Sequence, residues 1–95
     1  MLHVDAQRDT TTITINGRFD HRRVIEFKEV FAMSPRLWII DLSQVDYVDS
    51  SALGVLLLLR ERVNNDPQRV HLRGVRGQPK AVLAMAKFER LFKML

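Results

Sequence analysis

The tripeptide Asp49-Ser50-Ser51 is where this sequence could do chemistry. It lies inside Ile39 to Gly54, IIDLSQVDYVDSSALG, between an apolar run and a second, helix-forming one. Ser50 or Ser51 falls where the N-cap of that helix is expected. The first amides of a helix have no partner within it, and the helix dipole adds roughly half a positive charge at that end. A hydroxyl there is solvent-facing but anchored to a rigid element. A phosphoryl group on it would meet free amides and a favourable dipole, and would be held locally without refolding. Capping alone also explains Ser and Asp before an apolar helix, so the residue types leave regulation and simple capping both open.

Few other residues offer chemistry. There is no cysteine, which excludes a disulfide scaffold, a zinc ribbon and a thiol nucleophile. His3, His21 and His71 have no metal-site spacing, so no metal and no cofactor are expected. His21 beside Asp20 could be argued as a base near a serine. It reads instead as a surface residue of a first helical turn. There is no Gly-x-Ser-x-Gly elbow and no glycine-rich phosphate loop. The chain is therefore expected not to be an enzyme.

The elements that must position the serines follow from periodicity. Thr11 to Ile15 alternates polar and β-branched apolar residues and predicts a strand, with a shorter one around Leu2 and Val4 able to pair with it. Asn16-Gly17 is expected to end that run as a turn. Asp20 is placed to cap a helix through Val24, Phe27, Val30 and Phe31, ended by Ser34-Pro35. Leu37 to Leu42 predicts a central strand covered on both faces, and Ser43 to Val48 a loop. Tyr47, in that loop, is the aromatic expected near a partner surface.

Ser50 to Asn64 predicts a helix. Leu53 and Val55 to Leu59 nearly encircle it, as in a buried helix. Val70-His71-Leu72 predicts a strand ending at Gly74. Gln78 to Lys87 predicts a helix with Pro79 in its first turn and Val82, Leu83, Met85 and Ala86 on or near its inner face. Leu91 to Leu95 closes the chain as a short strand or helix. Trp38, Phe27, Phe31 and Met85 are expected in the core. Strands alternating with helices at this spacing give an α/β fold, a single domain over residues 1–95.

The 95 residues are 46% hydrophobic and 27% charged, an ordinary globular composition. Residues 1–59 carry six Lys/Arg against eight Asp/Glu, and residues 60–95 nine against three. The basic third is interleaved with core-type residues and lacks an aromatic stripe, so direct nucleic-acid binding is not expected. No signal peptide and no apolar run of membrane-spanning length is evident, which with the absent cysteines suits a cytoplasmic protein. Any partner domain is expected on another chain.

Three pieces of the sequence resemble the anti-sigma-factor antagonist family of STAS domains. Gly17-Arg18-Phe19-Asp20 resembles the family's Gly-Glu-Leu-Asp. Leu37 to Val48 resembles its apolar strand, Asp-Leu pair and variable loop. Asp49-Ser50-Ser51-Ala52-Leu53-Gly54 resembles Asp-Ser-Ser/Thr-Gly-Leu-Gly. Leu72-Arg73-Gly74-Val75 and Phe88 to Phe92 fit as well, so the resemblance runs nearly end to end.

It implies a mixed β-sheet of about four strands with helices packed over it. It also implies a partner switch. A partner serine kinase, often itself the anti-sigma factor, phosphorylates the serine after the motif's aspartate, here Ser50, with Ser51 the alternative. The unphosphorylated form binds that kinase and frees the sigma factor, and a phosphatase resets the cycle. Asp20, His21, Tyr47, Asp49, Ser50, Ser51, Leu53 and Gly54 would then form the partner-binding surface. Arg18-Phe19 and Ala52 depart from the pattern, the first changing the charge beside Asp20. The alternative is a STAS subunit docking on a transporter ATPase in a lipid or anion transport complex, which needs the surface but not the phosphoacceptor.

Overall fold

The computed structural model describes residues 2–95. Five strands form one sheet in the order of the chain: β1 (Leu2–Gln7), β2 (Thr10–Phe19), β3 (Leu37–Val48), β4 (Val70–Arg73) and β5 (Lys93–Met94). β1 and β2 form an antiparallel hairpin, and every later neighbour pair is parallel, so the sheet is mixed. The helices are α1 (His21–Val24), α2 (Phe27–Val30), α3 (Ser50–Arg62) and α4 (Gly77–Met85). Short 3-10 turns at Pro67–Arg69 and Phe88–Arg90 precede β4 and β5.

The topology explains where the core sits. The parallel crossovers all step the same way along the sheet, and right-handed crossovers then place every helix on the same face. The buried residues agree. Ile13, Ile15, Trp38, Ile40, Leu42, Val70 and Leu72 alternate along their strands and join Val55, Leu56, Leu59, Leu83, Phe88 and Phe92 in one cluster. The opposite face is open. Thr12, Thr14, Ile39, Asp41 and His71 are only half-buried there, so β3 is covered on one face and not on both. Asp41 anchors this open face, accepting from the Ser43 amide at 2.9 Å and from Arg73 Nη2 at 2.9 Å. Burial opposes its charge, but the bonds from Ser43 and Arg73 outweigh that and hold its pKa below the ordinary value.

Several local expectations change. Asn16-Gly17 does not end the strand. β2 runs on to Phe19, with register shifts between Thr14 and Asn16 and between Gly17 and Arg18, and Gly17 takes the positive φ (73°) that these irregularities need. Ser43 to Val48 is strand rather than loop, because the prolonged β2 gives it a partner. The expected helix over Val24 to Phe31 is two four-residue turns, α1 and α2, and Val24 is exposed. Phe27 is buried and stacks on Phe19 with ring centroids 5.6 Å apart, while Phe31 is half-buried. α3 ends at Arg62, and Asn64 and Asn65 take positive φ beyond it. α3 is not buried all round: Ala52, Val55, Leu56 and Leu59 face the sheet, whereas Leu57 and Leu58 are exposed. Met85 is not core. It is 84% exposed at the end of α4, where Leu83 is buried, Val82 half-buried and Ala86 exposed.

Candidate functional site

The parallel strands β2, β3 and β4 share a direction, so their carboxyl ends lie at one edge of the sheet, the usual place for sites in sheets of this kind. β2 runs into Asp20 and α1 there, and β3 into Asp49 and α3. Both aspartates are N-caps. Asp20 accepts from the Arg22 amide at 3.1 Å, and Asp49 accepts from the Ala52 amide at 3.2 Å. The cap of α3 is therefore Asp49, not Ser50 or Ser51. A cap needs an extended backbone, and Asp49 has φ −121° and ψ −173°. Ser50 and Ser51 become the first two helical residues, whose amides have no acceptor inside the helix. Ser50 is exposed and Ser51 half-buried.

Asp20 is held tightly. It is buried, with 4% exposure, and its carboxylate accepts from Arg22 Nη2 at 2.9 Å and from Arg18 Nε at 3.4 Å. The bond from the Arg22 side chain is the main reason its pKa falls to about 2, and burial only partly opposes it. The same bond raises the pKa of Arg22. Arg18 also lies 3.9 Å from the Tyr47 ring centroid, a cation–π contact. Arg18 thus ties Asp20 to Tyr47. The α1 and α3 ends meet at His21, whose Nδ1 is 4.0 Å from Asp49 Oδ2 while most of its side chain is in solvent.

An apolar groove of about 490 Å³ opens beside the serines, lined by Val24 of α1 and by Ser51, Gly54, Leu57 and Leu58 of α3. Leu53 packs half-buried against the core instead. Asp20, His21, Asp49, Ser50, Ser51 and Gly54 thus lie around the adjoining ends of α1 and α3, and Tyr47 joins them through Arg18. Among the described residues no group of His, Asp or Glu could hold a metal ion.

Two features escape sequence reasoning. The first is the exposed pair Leu57 and Leu58, read as core because a run of leucines carries no sign of which face is covered. The second is Gln78 in the first turn of α4. Its Oε1 accepts from the Val48 amide at 2.9 Å, and its Nε2 donates to the Val48 carbonyl at 3.0 Å. β4 stops at Arg73, opposite Asp41, so it cannot pair with this end of β3. The Gln78 amide supplies both bonds in its place, one residue before Asp49. A lone glutamine near a helix start carries no signal for such a role.

A sequence model of the family described as "Mlab, STAS domain" matches residues 2–95. The chain belongs to the STAS family. A STAS-domain containing protein of Pseudomonas aeruginosa is 38% identical over 86 residues, covering 87% of this chain and 85% of the relative. Among solved structures, the anti-sigma factor antagonist SpoIIAA in its unphosphorylated form superposes with a TM-score of 0.76 at 18% identity, covering all of this chain and 87% of that one. The Bacillus SpoIIAA in its phosphorylated form gives 0.75 at 17% identity, covering 100% and 91%. A sulfate transporter family protein from Wolinella succinogenes gives 0.74 at 20% identity, covering 92% and 75%. These likenesses establish the fold. No helix among the described residues is long and apolar enough to cross a membrane.

Proposed function

We propose that this STAS domain is an anti-sigma-factor antagonist of a cytoplasmic partner-switching pathway, controlled by phosphorylation of Ser50 and without catalysis of its own. The observation that carries the reading is the exposed Ser50 at the amino end of α3, next to Ser51 of an apolar groove that none of the described residues covers. An unphosphorylated Ser50 leaves the groove open to a serine-kinase partner. A phosphate adds about −1.5 to −2 charge beside Asp49 and one residue from Ser51, which lines that groove. An apolar docking surface tolerates such charge poorly, and a carboxylate or bound nucleotide on the partner would repel it. A cognate phosphatase would restore binding.

The second reading, constitutive docking on a transporter ATPase, draws on the fold shared with the sulfate transporter family protein. It uses the same groove and no phosphate. One experiment separates them. With the cognate partner captured from native cells, Ser50→Ala is expected to bind constitutively and Ser50→Asp at least about tenfold more weakly. Mass spectrometry of the native protein should find a single phosphoryl group on Ser50. Equal affinity of the two variants, with an unmodified mass under every growth condition, would favour the transport reading.

A further inference from the structure

The two edges of the sheet are protected unequally. β5 is a two-residue strand that begins with Lys93, and short, charged edges resist pairing. β1 is six residues long, holds an unbroken antiparallel register with β2, and contains neither proline nor lysine. From His3 to Gln7 it is exposed. The Leu2 amide donates to Glu26 Oε1 at 3.0 Å, so it points away from β2, and edge pairing would exchange this bond for one to the second copy's Ala6 carbonyl. Backbone groups alternate along an antiparallel strand, and the amides and carbonyls of Val4 and Ala6 therefore point out of the edge too.

The sequence of β1, Leu-His-Val-Asp-Ala-Gln, is complementary to itself. With Val4 opposite Val4 of a second antiparallel copy, Leu2 meets Ala6 and His3 meets Asp5. Shifting the register by one outward-facing pair sets either Asp5 against Asp5 or His3 against His3, and like charges directly opposite each other disfavour such pairing. In the Val4-centred register all the apolar side chains fall on the helix-bearing face, because Leu2 and Val4 pair with the core positions Ile15 and Ile13. There β1 borders an open groove of about 540 Å³ lined in part by Leu2, Val4, Ile25, Val30 and Met33, in which Ile25 is 80% exposed. The imidazole–carboxylate pairs fall on the open face.

We propose that β1 is a self-association edge, through which two copies of this chain join about a two-fold axis at Val4 into one continuous sheet. The interface is isologous: each His3 meets the other copy's Asp5. β3, which leads to Ser50, lies two strands from this edge, so pairing leaves the candidate switch site free and the proposal stands independently of it.

Sedimentation equilibrium on the full chain tests it, with circular dichroism to confirm folding. The native protein should show a concentration-dependent monomer–dimer equilibrium. Val4→Lys sets two lysines together at the axis, and Asp5→Lys removes both His–Asp pairs; each should raise the Kd at least about tenfold. His3→Asp combined with Asp5→Lys rebuilds the pairs in reverse and should restore association. Two results would overturn the proposal: a native protein monomeric up to millimolar concentration, or a dimer indifferent to both single substitutions. A double variant that stays monomeric overturns the His3–Asp5 register.

Discussion

At the scale of single residues, two side chains hold the carboxyl ends of β2 and β3 and each can be tested. Asp20 has a carboxyl pKa lowered from 3.8 to about 2, chiefly by Arg22. A folded-state pKa below the unfolded one means that the group stabilises the fold above pH 3.8 and loses that contribution as pH falls toward 2. Asp20→Asn should therefore melt at a lower temperature than the native protein at pH 7, and the gap should close as the pH approaches 2. A constant gap across a series of melting curves would contradict the ion-pair account. Gln78 is a positioning residue: two bonds from its amide replace the strand missing beside Val48. Gln78→Ala should cost about 1–2 kcal/mol in denaturant unfolding. It should also speed hydrogen exchange at the Val48 amide and through the first turn of α3, while β1 and β2 exchange as before. A uniform rise across the chain would assign Gln78 to general stability alone.

At the scale of elements, the strands and helices were legible where a periodic pattern met a clear stop. The capping Asp20, the strand from Leu37, the helix from Ser50 and the turn with Pro79 all read directly from residue types. What escaped was set by partners distant in sequence. Nothing within Ser43 to Val48 marks it as strand; it extends because β2 continues past Asn16-Gly17, and β2 continues because Gly17 absorbs a positive φ. The cap moved from Ser50 to Asp49 because several adjacent residues were all competent caps and the backbone chose the extended one. The candidate site was thus legible as a tripeptide but not as a surface, since Gln78 reaches Val48 and Arg18 reaches Tyr47 through tertiary contacts. Gly74 shows the same dependence. A Cβ built there would lie 2.6 Å from the Ser43 Cβ, and its φ of 74° disfavours any side chain. Gly74→Ala should destabilise the protein by about 2 kcal/mol or more, measured by urea unfolding, through left-handed strain and the clash with β3.

At the scale of the molecule, crossovers that all step one way along the sheet put every helix on one face and every helix start after β2, β3 and β4 at one edge. That arrangement leaves an open face without a deep cavity: α1 and α3 lie side by side, and among the described residues no further layer covers the outward stripe of α3. Leu56 and Leu58 stand two residues apart on this helix and test the division. Leu56 is 1% exposed and Leu58 49%. Leu56→Ala should lower stability by about 2–5 kcal/mol, because it opens a cavity in the core. Leu58→Asp removes a half-exposed side chain and leaves no cavity in the core, so it should cost less, about 1 kcal/mol. If the groove is the docking surface, its effect should appear instead in partner affinity, weakened at least about tenfold by a charge set among apolar contacts. Thermal melts and pull-down titration on the same two variants read both quantities. A Leu58→Asp protein that binds its partner normally would move the docking surface away from α3, and with it the reason for placing a phosphate at Ser50.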